Sequence, residues 1–161
     1  MIRTAQRSDA LTVAAIQLCS SQAAYGDRNN YLTIERMEHR LKVWIELIDR
    51  EGVWLDLFEK ENVPVAYISF QSSYSESETG EITSVYVLPS YWGKGIGKQL
   101  MAHAEKTLLS NGIHSAALWV RESNLKTIDF YKRSNYTETG SKKLFEESDF
   151  VKPPLAITRS N

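Results

Sequence analysis

The sequence predicts a mixed α/β fold, and three observations carry that prediction. Segments of strand composition and segments of helical periodicity follow one another in the order β-α-α-β-β-β-α-β-α-β-β. That order describes a mixed sheet with helices on its faces, not an uninterrupted βαβ series. The most informative segment, residues 80–111, reads as a strand, a glycine-rich turn and a helix. A chain of 161 residues with 42% hydrophobic and 24% charged residues is one domain's worth of ordinary globular protein. It is long enough to bury a core without metals or disulfides.

Taken in order, residues 1–4 read as a short strand. Ser8 or Asp9 caps a helix in which Leu11, Ala15, Leu18 and Gln22 share a face, with Ile16 and Cys19 beside it. The run Gly26-Asp27-Arg28-Asn29-Asn30 breaks that helix. Thr33 starts a second one, whose apolar stripe is Met37, Leu41, Trp44, Ile45 and Ile48, and Glu51-Gly52 ends it. Residues 53–59 and 63–71 are the strands of an antiparallel hairpin turning at Lys60-Glu61-Asn62. Pro64 stands near the start of the second strand, where a missing N–H is tolerated. Residues 72–79 are polar and read as a loop.

Residues 82–88 are rich in β-branched and aromatic side chains, and Pro89 ends the strand because it cannot donate to a ladder. Gly93, Gly95 and Gly97 then alternate with Lys94, Ile96 and Lys98. Ile96, Leu100, Met101, Ala104, Leu108 and Leu109 mark the apolar face of the helix that follows, and Asn111-Gly112 stops it. Residues 115–120 form an apolar strand and residues 124–134 a short helix on which Leu125, Ile128 and Tyr131 recur. Asn135 is suited to the left-handed conformation of a helix stop. Residues 136–145 and 155–159 are two last strands, with Pro153-Pro154 before the second.

The glycine turn is built to hold an anion. Glycines let the backbone curl and let a ligand reach its N–H groups with no Cβ in the way. The helix that follows offers unpaired first-turn N–H groups and the positive end of its dipole, and Lys94 and Lys98 add charge. A phosphate or pyrophosphate is the natural guest. A Walker loop does not fit, because Gly93 to Gly97-Lys98 is one residue short and Gln99 stands where a hydroxyl would hold magnesium. A dinucleotide fingerprint does not fit either, since the spacing is G-x-G-x-G and a proline intervenes after the strand.

The net charge of −1 implies no bulk attraction to nucleic acid or to an anionic membrane. The single cysteine, Cys19, cannot form an internal disulfide, which suits a reducing compartment. The three histidines are scattered and show no metal-ligand spacing, so no metal is expected. No apolar run resembles a signal peptide or a membrane span, and a cytoplasmic location is the expectation.

The stretch Val87-Leu88-Pro89-Ser90-Tyr91-Trp92-Gly93-Lys94-Gly95-Ile96-Gly97-Lys98 resembles the acetyl-coenzyme A signature of the GNAT superfamily of N-acetyltransferases, [Q/R]-x-x-G-x-[G/A]. Gly95 and Gly97 match its last two anchors, while Trp92 stands where Gln or Arg is usual. A second block, from Leu118 to Tyr136, resembles the family's strand–helix motif: Asn124, Phe130, Tyr131 and Tyr136 stand in place, and Asn135 replaces the usual glycine.

The resemblance implies a single domain over residues 1–161 and a mostly antiparallel central sheet with helices on both faces. It also implies a V-shaped split between strands 82–88 and 115–120 that admits acetyl-coenzyme A. By the same resemblance, the backbone of Val85, Tyr86 and Val87 bonds the pantetheine amides. Trp92, Gly93, Lys94, Gly95, Ile96, Gly97 and Lys98 surround the pyrophosphate, and Asn124 contacts the pantetheine arm. Tyr131 lies near the sulfur, where a phenol of pKa about 10 can protonate a leaving thiolate whose thiol has a pKa of about 8.5. Glu81 matches a position where several family members place a catalytic glutamate, able to take the proton of the attacking ammonium. Glu76 and Glu78 are read as solvated. Tyr25, Tyr31 and Trp54 are conceivable linings of an acceptor pocket, with ordinary packing the plainer reading. His39, His103 and His114 are read as solvated, none having a catalytic partner in sequence.

The expected function is transfer of an acetyl group to a primary amine by direct attack, since Cys19 lies outside both motifs. The alternatives from other classes are a coenzyme A-binding sensor that does not turn over and a different phosphate-binding module. The acceptor amine stays open, as does the choice between Glu81 and a water chain as base. Oligomeric state is open too, with a homodimer the commonest choice.

Overall fold

The computed structural model describes residues 1–26, 29–72, 79–142 and 154–160, with the side chains of 141, 142 and 154–160 excepted. The elements are β1 (Ile2–Thr4), α1 (Ala10–Tyr25), α2 (Ile34–Ile48), β2 (Val53–Lys60), β3 (Val63–Ser72), β4 (Thr79–Val87), α3 (Ile96–Ser110), β5 (Ser115–Arg121), α4 (Leu125–Arg133), β6 (Thr137–Lys142) and β7 (Pro154–Ser160). This is the expected order. The chain divides into two compact units, Met1–Gln71 with Ser84–Ala104, and Ser72–Thr83 with Glu105–Asn161.

In the first unit β1, β2 and β3 pair antiparallel, and the end of β4 joins β3 through Leu88 N–H to Val65 O at 2.9 Å. The β2–β3 turn puts Glu61 and Asn62 at φ 53° and 63°, which suits the right-handed twist of a tight hairpin. Pro64 faces Glu59 beside a break in the register, where its missing N–H is harmless. Leu55 and Leu57 of β2 pack in one cluster with Ala10, Val13, Ala14 and Trp44 of the first two helices. Asp56, between them, points to the other face and meets His103 of α3. Helices therefore cover both faces of this part of the sheet.

Helix α2 follows its sequence closely. Thr33 caps it by accepting from Arg36 N–H, and Met37, Leu41, Ile45 and Ile48 pack around buried Trp44. Helix α1 departs from expectation in part. Leu18 and Ile16 are buried as read, but Leu11 is 54% exposed and Cys19 is exposed, and Ala10, Val13, Ala14 and Gln17 are buried as well. The last four recur at i, i+3, i+4 and i+7, and the small side chains of Ala10 and Ala14 let the helix lie close to the sheet. Leu109 of α3 and Leu125 at the start of α4 also face outward, at 47% and 69% exposure.

In the second unit the start of β4 pairs parallel with β5 from Thr79–Ser115 to Ile82–Leu118, and β4 itself runs on to Val87. Strand β7 pairs antiparallel with β5 and with β6. Ala116, Leu118 and Val120 are the buried alternate positions of β5. Strand β4 begins earlier than its composition suggests, and takes in Gly80. A Cβ at Gly80 would lie 2.7 Å from both terminal methyls of Leu108, so glycine here lets α3 press against the strand. The rest of the loop expected before β4, with Glu76 and Glu78, lies outside the described residues, as do the last residues of the strand expected over 136–145.

Candidate functional site

The cradle read from the glycines is local to the first unit. A 3-10 turn over Pro89–Tyr91 follows β4, with Tyr91 N–H on Leu88 O at 2.9 Å and Trp92 N–H on Pro89 O at 3.1 Å. Gly93 and Gly95 then take φ +74° and +76°, and the space where a Cβ would stand is open at both. Their glycines are thus explained by backbone angle and by an open surface, not by protein packed against them. The first intrahelical bond of α3 runs from Gln99 N–H to Gly95 O at 3.1 Å. The N–H groups of Ile96, Gly97 and Lys98 precede it and have no acceptor inside the helix. Three donors, the positive end of a fifteen-residue helix and two lysines therefore converge on one loop. Lys94 Nζ lies 4.9 Å above the Tyr91 ring, which keeps its charge beside the turn, and Lys98 is exposed. The donor set fits a pyrophosphate.

The end of β4 supplies a strand edge. Tyr86 and Leu88 both pack on the cluster formed with α1 and α2, so the pleat is regular between them. Leu88 donates to β3, and by the two-residue repeat the peptide groups of Tyr86 also face β3. Those of Val85 and Val87 face the opposite edge. The Val87 carbonyl oxygen is already engaged by Ser20 Oγ at 2.9 Å and Trp92 Nε1 at 2.6 Å. Beside this stretch the Tyr67 ring stacks on Tyr86 at 5.6 Å. Complete burial pushes the Tyr67 phenol well above its ordinary range, helped by the neighbouring Tyr86 and opposed by the Ser84 hydroxyl.

The second unit carries Asn124, Tyr131 and Glu81. Asn124 is the N-cap of α4, its Oδ1 accepting from Thr127 N–H at 3.3 Å, so it has a structural duty besides any contact with a ligand. Tyr131 is 7% exposed. Asn135 takes φ 63°, Tyr136 N–H bonds Tyr131 O at 3.0 Å and Asn135 N–H bonds Lys132 O at 3.1 Å. That is a Schellman stop, closed by the Tyr131 and Tyr136 rings 5.9 Å apart. Tyr136 then donates its phenol to Glu105 at 3.0 Å. Asn135 thus does what a glycine would do there. Glu81 is half-exposed and opposite Ala117 in the register. Since Gly80 faces α3, Glu81 points to the other face of the strand.

Of the aromatic residues considered for an acceptor pocket, Trp54 stacks on Phe70 at 5.4 Å and Tyr25 lies 6.4 Å from Tyr31. Tyr31 is buried, with the Arg36 guanidinium 5.0 Å from its ring centre, and its hydroxyl has no hydrogen-bond partner among the described residues. His39 and His114 are exposed, as read. His103 is not simply solvated: its Nε2 lies 2.8 Å from Oδ2 of Asp56, a residue 3% exposed. Sequence reasoning missed this pair, whose members are 47 residues apart, and it missed Ser20. The signal for Ser20 was present in α1, where Gln17, Ser20 and Ser21 put polar groups on the buried side. Among the described residues no three His, Cys, Asp or Glu side chains gather as metal ligands, and no helix is long and apolar enough to cross a membrane.

The chain is 31% identical over 90 residues to an uncharacterized N-acetyltransferase of Archaeoglobus fulgidus, covering 55% of this chain and 61% of that protein. It is 29% identical over 138 residues to one of Methanocaldococcus jannaschii, covering 80% of this chain and 57% of that protein. The chain thus spans 57% to 61% of the length of these curated relatives. Its fold is similar to that of the PaiA N-acetyltransferase of Thermoplasma acidophilum, solved in complex with coenzyme A. The TM-score is 0.79 at 18% identity, covering 100% of this chain and 98% of that one. The model of the acetyltransferase (GNAT) family matches residues 15–136, a span that includes the glycine loop, Asn124 and Tyr131, and the chain belongs to that family.

Proposed function

We propose that the protein is an N-acetyltransferase that takes the acetyl group of acetyl-coenzyme A and passes it to a primary amine by direct attack. The observation that carries this reading is the cradle after β4: an open glycine loop and three helix N–H groups without intrahelical acceptors, in a chain of the GNAT family. The family match runs through both compact units, which supports reading residues 1–161 as one catalytic domain.

The cradle, from Trp92 to Lys98, would hold the pyrophosphate. The edge of β4 would carry the pantetheine arm as an added strand through Val85 and the Val87 N–H. Tyr86 would contribute its ring packing on Tyr67 rather than its peptide groups. By the family resemblance, Asn124 would contact the arm. The amine nitrogen then attacks the thioester carbonyl, the C–N bond forms and the C–S bond breaks. Glu81, directly or through water, takes the ammonium proton, and the Tyr131 phenol gives a proton to the departing thiolate. Holding the two reactants in one groove supplies most of the acceleration.

A panel of amines assayed with acetyl-coenzyme A for released thiol tests the reading. Thiol release that depends on an amine, with the acetylated product seen by mass spectrometry, is the expected result. Tight coenzyme A binding without turnover on any amine would favour a sensor instead. A cytoplasmic location and a homodimer remain part of this proposal.

A further inference from the structure

The Val87 carbonyl oxygen accepts from both Ser20 Oγ and Trp92 Nε1, at 2.9 and 2.6 Å. A carbonyl oxygen has two lone pairs, so this acceptor is full. The two donors reach it from different elements. Ser20 stands on the buried side of α1, whereas Trp92 opens the glycine loop. The indole is 48% exposed, so packing alone does not fix its direction. Its N–H bond does. Together with Tyr91 N–H on Leu88 O and Trp92 N–H on Pro89 O, it pins the segment from Val87 to Trp92 at three points. Gly93 and Gly95, which would otherwise leave the loop with wide freedom, therefore start from a fixed place on the strand.

Resting on the acetyl-coenzyme A reading above, we infer that Trp92 is the positioning residue of the phosphate loop, tying it to the end of β4 through the indole N–H. Trp92 stands at the signature position usually held by Gln or Arg. Here the same position uses its donor inward, on the protein's own backbone. The binding energy of the pyrophosphate is then not spent on ordering the loop.

The test uses Trp92→Phe, which keeps an aromatic ring and removes the donor, and Ser20→Ala, which removes the other donor to the same oxygen. Affinities for coenzyme A and for adenosine 3′-phosphate 5′-diphosphate, the part of coenzyme A without pantetheine, are measured by calorimetry. Circular dichroism confirms that both variants fold. Trp92→Phe should weaken both ligands by the same factor, roughly 3- to 10-fold for one lost hydrogen bond. In steady-state assays the loss should appear in the KM for acetyl-coenzyme A, which should rise by the same roughly 3- to 10-fold factor and by more than kcat falls. Ser20→Ala should leave the fragment's affinity within about 2-fold, since Ser20 is not on the loop. Unchanged affinities in Trp92→Phe would overturn the inference. So would a loss confined to coenzyme A, which would put the effect on the pantetheine side. Equal fragment losses in the two variants would overturn it as well, because the carbonyl and not the loop would then be at issue. Failure of the parent protein to bind coenzyme A would remove the cofactor reading itself, and this inference with it.

Discussion

Gly93 and Gly95 offer a matched pair. Their φ angles are +74° and +76°, and at neither does any heavy atom lie within 4 Å of a would-be Cβ. Replacing either by alanine therefore creates no clash. The cost is the left-handed backbone, about 1–2 kcal/mol for a residue with a Cβ. About 0.5–1 kcal/mol of that is returned by the smaller freedom of alanine in the unfolded chain. A net loss of about 1 kcal/mol follows for both, or about 2–4 °C in Tm for a chain of this size. The two differ in what the open space is for. Gly95 immediately precedes Ile96 and accepts the first bond of α3 from Gln99, so a methyl there stands beside the helix N–H donors. Gly93 is two residues further from them.

Gly95→Ala should accordingly weaken coenzyme A by more than about 10-fold, a factor worth about 1.4 kcal/mol, while Gly93→Ala weakens it less. Thermal melts without ligand and calorimetric titration with coenzyme A measure the two effects separately. Equal stability losses with unequal affinity losses are the expected pattern. If Gly95→Ala bound coenzyme A as the parent does, the loop would not be the pyrophosphate site. If both variants lost affinity equally, the loss would be loop strain and the argument from blocked approach would fall.

Tyr131→Phe keeps the ring that closes the α4 stop and removes the phenol. Turnover should drop by roughly 10- to 1,000-fold with coenzyme A affinity nearly unchanged, and parent-like turnover would assign protonation of the thiolate to water. Glu81→Gln should lower kcat/KM by roughly 100-fold, and the loss should shrink towards alkaline pH, where the amine is already neutral; superimposable pH profiles would remove Glu81 from the mechanism. At the N-terminus, hydrogen bonds from Arg3 at 2.7 and 3.0 Å hold the Asp9 carboxylate below its usual pKa. A lowered folded-state pKa gives stability that is present above the unfolded value of about 3.9 and is lost as pH falls through the folded one. The stability gap between the parent and Asp9→Asn, read from denaturant melts, should be constant from neutral pH to about pH 5 and vanish in acid; a gap independent of pH would refute the assignment.

How much of this was legible depended on how far apart the interacting residues lie in the chain. The apolar stripe of α2, its Thr33 cap and the Asn135 stop are written within a few residues, and the structure reproduces them. The cradle was legible for the same reason, because a strand end, three glycines and a helix start are contiguous. Helix α1 misled because small residues make its contact with the sheet, so Leu11 looks like core and is not. Contacts over long separations do not name their partners in any local spacing: Asp56 meets His103 across 47 residues, and Ser20 meets Val87 across 67.

The three consecutive residues expected to bind pantetheine show what the pleat adds. A sequence motif names Val85, Tyr86 and Val87 as a run, but a strand offers its peptide groups to each edge at alternate residues. Leu88 bonded to Val65 commits Tyr86 to β3 and leaves Val85 and Val87 for a ligand. Ser20 and Trp92 then fill the Val87 oxygen. Among the described residues, what remains on that edge is the Val85 N–H and C=O and the Val87 N–H. In the proposed reading a pantetheine amide N–H laid along this stretch would take the Val85 carbonyl as its acceptor, and that bond would set the register of the thioester along β4.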